Sequence, residues 1–222
     1  MPENVNIYVS GAYKNLPGRN DQHDGYAGIG ISCPVYPHFS GGHRLLVLDR
    51  NERNTPVVTP ARAKLWAVVS TMQLILSKFK RRKGRGKNKG MGILKDVNFT
   101  IVSDCENSVL YIEDWGPHYV EEYGDDPSDW RNSVGKRVQD AELLNKALQL
   151  REQLQDKVEE GKLGGFELVY QQRSKKVVGL ARAFRSATRA RKREEKLAQI
   201  DDSDEYDSVD ELATYVDLMK VE

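Results

Sequence analysis

The N-terminal part of the chain alternates short apolar runs with polar, glycine-containing segments. Three of the apolar runs predict strands, over residues 5–9, 26–35 and 44–48. The segments between them are too short to hold a crossover helix, so we expect an antiparallel meander. Ala27, Gly28 and Gly30 give the second strand little side-chain bulk, which indicates that another element packs closely against it.

Apolar residues then recur at helical spacing. Thr59 and Pro60 are residue types favoured at a helix start, and the apolar positions after them predict a helix to about residue 79. Later patterns predict a strand over 99–102 followed directly by a helix to Trp115, a polar loop over 116–132, a helix over 140–158, a strand over 166–170 and a helix over 178–198. The predicted order is β-β-β-α-β-α-α-β-α, in which the first crossover helix permits the fourth strand to pair parallel to the first.

Asp104 stands where the fourth predicted strand ends and the next helix begins. A carboxylate at the carboxyl end of a central strand is a common place to hold a metal or a ligand in an open α/β sheet. The alternative is that Asp104 only caps the following helix. The residue's own position leaves both interpretations open.

Charge is strongly segregated along a chain whose formal net charge is only +1. Eight of the twelve residues at 78–89 are basic, and residues 173–196 hold ten basic residues against two glutamates. Residues 201–222 instead hold nine acids against one lysine. We therefore expect one domain over 1–198, with a basic loop inserted at 78–90, and an acidic C-terminal tail over 199–222.

The remaining composition bounds the class of protein. Cys33 and Cys105 lack metal-ligand spacing and are typical of reduced cysteines in an intracellular protein. The N-terminus has no signal-peptide pattern, and no apolar run is long enough to span a bilayer. The expected location is the cytosol or the nucleus, and no membrane partner is expected.

Four stretches match a known pattern in residues as well as in order. They are 8–11 (YVSG) followed by 27–30 (AGIG), the helix start with Thr59, Arg62, Ala63 and Leu65, the strand end Ser103-Asp104 with Trp115, and the block Trp130, Ser133, Gly135, Val138 and Leu143. These stretches resemble the type 1 ribonuclease H family. The resemblance spans about residues 5–190 and implies an α/β, ribonuclease H-like fold, with a five-stranded mixed sheet and helices on both faces.

The resemblance also implies a chemistry, because enzymes of that family cut the RNA strand of an RNA/DNA hybrid with two magnesium ions held by four carboxylates. Two dications held about 4 Å apart require clustered acids. Of the four matching positions only Asp104 is acidic; the others are Ser10, Lys64 and, within a residue or two, Arg182. We therefore expect no cofactor, and we expect Lys64 to reach Asp104 in place of a metal.

The first functional hypothesis is a catalytically inactive ribonuclease H-like module, a pseudoenzyme, that binds RNA, DNA or a hybrid through a basic face. The residues expected to bind nucleic acid are Lys64, Lys80, Arg81, Arg82, Trp130, Ser133, Arg182 and Arg185. Trp115 also matches a position near the family's hybrid-binding surface. For both tryptophans the alternative is packing within the fold.

Two other functions stay open at this point. One is a protein-interaction or scaffold module that uses the same fold and binds a protein partner through the acidic tail. The other is an active RNA/DNA-hybrid ribonuclease with a rearranged, magnesium-dependent site, for which Glu106, Asp49 or Asp24 would supply displaced carboxylates.

Overall fold

A single five-stranded mixed sheet organises the protein, which is described here from a computed structural model over residues 2–15, 25–44, 59–79 and 94–201. The strands are β1 Glu3–Asn15, β2 Gly25–Ser32, β3 Gly41–Arg44, β4 Val97–Ser103 and β5 Gly165–Tyr170. Their order across the sheet is β3-β2-β1-β4-β5. The pairs β1–β2 and β2–β3 are antiparallel, whereas β1–β4 and β4–β5 are parallel. The predicted meander and the parallel pairing of β4 with β1 are both confirmed. The third strand begins at Gly41 rather than at residue 44, and residues 45–48 of its predicted span lie outside the described residues.

The helices follow the predicted order with one correction. They are α1 Pro60–Ser77, α2 Glu106–Leu110, α3 Gly116–Tyr123, α4 Ala141–Glu159 and α5 Val178–Asp201, with a π-helical segment, Tyr111–Trp115, joining α2 to α3. The polar loop predicted over 116–132 is wrong in its first half, because the helix continues through Pro117 into α3. Within the described ranges, no helix combines the length and the apolar character needed to cross a membrane.

Helix α1 begins as its sequence predicts and packs closely on β1. The Thr59 side chain caps it by accepting a hydrogen bond from the Arg62 amide at 3.0 Å. A Cβ atom added to Gly11 would lie 2.6 Å from the Ala63 carbonyl carbon, so the missing side chain of Gly11 lets the helix approach β1. This side of the sheet carries the main hydrophobic core, to which α1 and α4 both contribute.

Helix α5 packs on the opposite side of the sheet. A Cβ atom added to Gly30 would lie 1.9 Å from the Ala183 carbonyl oxygen of α5, which confirms the close packing predicted for β2. Gly30 pairs with Ser10 across the antiparallel ladder, so the two residues face the same side of the sheet. Gly11, the next residue along β1, faces the other side and α1. The helices therefore cover both faces, and the Ser10 side chain points to the α5 side.

Candidate functional site

A pocket of about 660 Å³ lies where β1, β4 and β5 approach their carboxyl ends, between the start of α1 and one flank of α5. Its charged lining residues are Lys14, Lys64, Asp104, Arg173 and Arg191. We call it the Asp104 pocket. Four cationic side chains and one carboxylate thus share a cleft at the edge of the sheet where open α/β folds commonly bind ligands.

The Asp104 carboxylate is buried, with only 5% of its side chain exposed. Its Oδ2 atom accepts a hydrogen bond from the Ser10 hydroxyl at 2.8 Å and one from the Arg173 guanidinium at 3.2 Å. Its Oδ1 atom is buried and has no hydrogen-bond partner among the described residues. The N-cap of α2 is Cys105 rather than Asp104, and it makes no side-chain cap hydrogen bond. Asp104 therefore does not cap α2, and its carboxylate is held by Ser10 and Arg173 instead.

Arg173 is the cation that pairs with Asp104, and its position is fixed from two sides. The guanidinium carbon lies 3.7 Å from the centre of the Phe184 ring, so the group stacks on α5 while it bonds to Asp104. The expected ion pair between Lys64 and Asp104 is wrong for this structure. Lys64 lines the same pocket but forms no ion pair with any described residue.

Lys14 and Arg191 stand at the rim of the pocket and share one carboxylate. Glu195 forms ion pairs with Lys14 and, at 3.0 Å, with Arg191. The hydrogen bond from Lys14, with further lowering by Arg191, holds the pKa of Glu195 below its ordinary value. Glu195 therefore stays ionised near neutral pH and offsets part of the positive charge at the rim.

The residues around Asp104 do not fit a two-magnesium site. Such a site needs several carboxylates close together, whereas Asp104 is surrounded by a serine hydroxyl and two cationic side chains. Nowhere in the described ranges do three His, Cys, Asp or Glu side chains form a group that could hold a metal ion. Glu106, one candidate for a displaced carboxylate, is exposed at the start of α2, and Asp24 and Asp49 lie outside the described residues.

Solved structures share this arrangement of strands and helices. A structure of the foamy viral protease-reverse transcriptase in complex with dsDNA matches 84% of this chain and 93% of its own chain, at 14% identity and a TM-score of 0.55. The solution structure of the PFV RNase H domain matches 85% and 94%, at 14% identity and a TM-score of 0.51. The crystal structure of LC9-RNase H1, a type 1 RNase H with the type 2 active-site motif, matches 87% and 74%, at 15% identity and a TM-score of 0.51.

The chain has the ribonuclease H fold. At this level of identity the likeness establishes the fold alone. No family model and no curated protein matches the sequence.

Three of the four positions matched to the family's metal-binding acids meet at the Asp104 pocket of this ribonuclease H-like domain. Ser10 contacts Asp104, and Lys64 lines the same pocket. Arg182 does not join them, because it lines a separate cleft on the other flank of α5. The structure thus does not place Arg182 beside Asp104, and no residue from 174 to 193 supplies an acid in any register.

The residues predicted to bind nucleic acid have different positions in the ribonuclease H-like domain. Trp130 is fully buried, stacks on Tyr119 and donates its indole N–H to the Gly124 carbonyl at 2.8 Å. Its assignment to a binding surface is therefore corrected to packing. Ser133 and Arg185 are exposed. The positions of Lys80, Arg81 and Arg82 lie outside the described residues, as does the acidic tail beyond residue 201.

Sequence reasoning did not single out Lys14, Arg173 or Arg191 as parts of the site. A usable signal for Arg173 is its place three residues after β5, the strand that pairs parallel to β4. Parallel strands end at the same edge of a sheet, so a residue just after β5 can reach one just after β4. Lys14 and Arg191 carry no such signal, because their meeting depends on how far α5 extends along β1.

Proposed function

We propose that this ribonuclease H-like domain binds nucleic acid without carrying out two-metal hydrolysis at the Asp104 pocket. The observation that supports the proposal best is the environment of Asp104, whose carboxylate pairs with Arg173 beside Lys64. Lys64 stands where the resemblance implies a metal-binding acid, and Arg173 adds a second cation beside the remaining carboxylate. The proposal rests on this exchange of charge within a retained fold.

Coulomb's law indicates how strongly the exchange acts against metal binding. At an effective dielectric constant of 20, unit charges 4 Å apart interact by about 4 kcal/mol, and a divalent ion doubles that value. Arg173 lies within this range of Asp104 Oδ2, so it opposes a dication bound to the same oxygen by several kcal/mol. One carboxylate already engaged with a guanidinium does not offset that repulsion.

The same charges favour phosphates. Lysine and arginine side chains bind the nucleic-acid backbone by charge and without reading its sequence. Lys64 has no ion pair to a described residue and faces the Asp104 pocket, so its ammonium group can meet a phosphate directly. Structures of similar fold include a foamy viral protease-reverse transcriptase in complex with dsDNA, and another in complex with RNA/DNA hybrid, which fits a nucleic-acid ligand.

The binding experiment uses the full chain and fluorescence anisotropy with a labelled RNA/DNA hybrid and with each of its strands, over a series of salt concentrations. We expect salt-sensitive binding. Lys64→Gln should reduce the magnitude of the slope of log Kobs against log[salt] by roughly 0.7–0.9, which is the value for one phosphate contact. Lys95→Gln is the matched control, because Lys95 is exposed and precedes β4, at the opposite end of that strand from Asp104. Absence of salt-sensitive binding to every strand and duplex would remove the proposal.

A second measurement addresses the metal. We expect calorimetric titration of the full chain with Mg²⁺ or Mn²⁺ to give no stoichiometric binding, and hybrid incubated with Mn²⁺ to stay intact. Stoichiometric binding that Asp104→Asn abolishes, or hybrid cleavage that the same change abolishes, would favour the active-nuclease alternative instead.

A further inference from the structure

A second basic cleft lies on the flank of α5 that faces away from the Asp104 pocket. It has a volume of about 400 Å³ and runs between α5 and the end of β2 with the turn that follows. Arg182, Arg185 and Arg189 line it from the helix, and we call it the arginine cleft. At 100° per residue the three arginines fall within about 60° of one another around α5, so they form one row.

The helix itself separates the arginine cleft from the Asp104 pocket. Phe184, Thr188 and Arg191 line the pocket from α5, and they lie about 130° around the helix from the arginine row. Between the two sets, the buried alanines of α5 face the glycine positions of β2. The two clefts therefore have separate linings with no residue in common.

The arginine row differs from the cations of the Asp104 pocket in its charge balance. There, Arg173 and Arg191 pair with Asp104 and Glu195. Among the described residues, by contrast, no carboxylate lines the arginine cleft, and none forms an ion pair with its three arginines. Like charges three and four residues apart destabilise a helix, and a bound anion would relieve this repulsion.

The remaining walls of the cleft suit an anion as well. Ser32 and Ser186 line it beside apolar residues that include Ile31 and Pro34, whereas the Ser40 hydroxyl is engaged with the Cys33 backbone. Apolar walls limit the solvent around the guanidinium groups, which strengthens their attraction to a negative charge. The three arginines are exposed at the mouth of the cleft. Arg185 donates its Nε–H to the Ala181 carbonyl at 3.3 Å, and the other N–H groups of Arg185 are left for a ligand.

The length of the row indicates a polymer with repeated phosphates. Residues 182 and 189 are seven positions apart, which corresponds to about 10 Å along the helix. A nucleic-acid strand rises about 3.4 Å along the duplex axis per phosphate, but successive phosphates lie roughly twice that distance apart through space, so the row spans about two phosphates. Guanidinium groups are well suited to phosphate oxygens, because they offer two parallel N–H donors.

We propose that the arginine cleft binds the phosphodiester backbone of a nucleic-acid strand at a site separate from the Asp104 pocket. This inference rests on the proposed nucleic-acid function and adds a second contact surface to it. The strand lies along α5 with its phosphates opposite the row of Arg182, Arg185 and Arg189, on the side of the helix nearest the β2–β3 edge of the sheet.

The test is the salt dependence of binding by the full chain carrying R182Q/R185Q/R189Q, measured by anisotropy with a labelled single strand and a labelled RNA/DNA hybrid. We expect the triple variant to lower the salt slope by about 2 and to weaken binding about tenfold at low salt. The matched control is K95Q/K157Q/K162Q, which removes three cations that lie off α5 and line neither cleft; residues 193 and 196 are unsuitable because they continue the arginine row at the same helical spacing. It is expected to change the slope by less than half as much.

The charge-retaining variant R182K/R185K/R189K is expected to keep the salt slope of the unmodified chain, which separates loss of charge from damage to the helix. An equal loss in R182Q/R185Q/R189Q and in the control would overturn the inference. Binding that Lys64→Gln weakens but the triple glutamine variant leaves intact would also overturn it, and would leave the proposed function standing. Absence of any nucleic-acid binding would overturn both. Displacement of the strand by millimolar inorganic phosphate at constant ionic strength, seen only when the arginines are present, would assign the cleft to a small phosphate compound.

Discussion

The Asp104 carboxylate receives a hydrogen bond from Ser10 and an ion pair from Arg173, and both contacts are made to Oδ2. The side chain is 5% exposed, so these contacts stabilise an acid that would otherwise be buried without a partner. At the same position the resemblance implies a metal ligand. At the scale of single residues, the site pairs one buried acid with the cation that neutralises it.

Replacing Asp104 with asparagine tests this exchange. Asp104→Asn keeps the size of the side chain but removes the one negative charge beside Lys64 and Arg173, so nucleic-acid affinity should rise about two- to fivefold. The measurement is anisotropy with a labelled hybrid at low salt. Glu106→Gln is the control, because Glu106 is exposed two residues away and does not line the pocket. Weaker binding by Asp104→Asn would show that the carboxylate contributes to binding, as a metal ligand does.

A buried ion pair joins α1 to the residue that precedes α4. Arg62 Nη1 lies 2.8 Å from Asp140 Oδ1, and the two side chains are 5% and 8% exposed. Arg62→Met should lower the free energy of unfolding by about 3–5 kcal/mol, because it removes a charge that balances Asp140 away from water. Urea denaturation measures the loss. Arg137→Gln, which removes one partner of the exposed pair Arg137–Glu142, should cost about 1 kcal/mol or less. Equal losses would contradict the argument.

At the scale of elements, the packing of α5 on β2 decides where the cations lie. The helix approaches through Ala183, Ala187 and Ala190, and the sheet meets it with glycines. Because the backbones come so close, α5 cannot rotate about its own axis without clashing with the sheet. Its rotational orientation, or phase, is therefore fixed. That phase places Arg191 in the Asp104 pocket and the arginine row in the other cleft.

A single added methyl group tests this packing. Gly30→Ala would place a Cβ atom 1.9 Å from the Ala183 carbonyl oxygen, so α5 has to move, and the free energy of unfolding should fall by about 2–3 kcal/mol. Gly41→Ala is the control on β3, where the added atom would meet only the flexible His43 side chain, at 3.2 Å. Its effect should stay within about 1 kcal/mol of zero. Thermal and urea denaturation compare the two, and a Gly30→Ala protein as stable as the control would contradict the close contact.

The elements also show what a sequence can predict and what it cannot. The Thr59 cap, the small residues of β2 and the strand that ends at Asp104 are local signals, and all three predictions are confirmed. The contact between Arg173 and Asp104 joins residues 69 positions apart and depends on the course of the chain after β5, so no local pattern contains it. The phase of α5 depends equally on tertiary packing, because basic residues occupy several of its faces. Trp130 is buried by the fold of its own loop, which hydrophobic periodicity does not predict.

At the scale of the whole molecule, a near-neutral total charge conceals two basic clefts on either flank of one helix. Counts of basic and acidic residues along the chain predict that charge is segregated, but they do not predict where it lies on the surface. Folding separates residues 182, 185 and 189 from the Asp104 pocket and brings residues 14, 64, 104 and 173 together within it. Binding by such a surface should depend on salt and not on a divalent metal.

The affinity of the full chain for a labelled RNA/DNA hybrid, measured by anisotropy in EDTA and in Mg²⁺ at matched ionic strength, tests this claim most directly. The account predicts the same dissociation constant in both buffers, apart from a small competing effect of Mg²⁺ on the phosphates, and a steep loss of affinity as monovalent salt rises. Binding that appears or tightens strongly only when Mg²⁺ is present, and that Asp104→Asn abolishes, would contradict it.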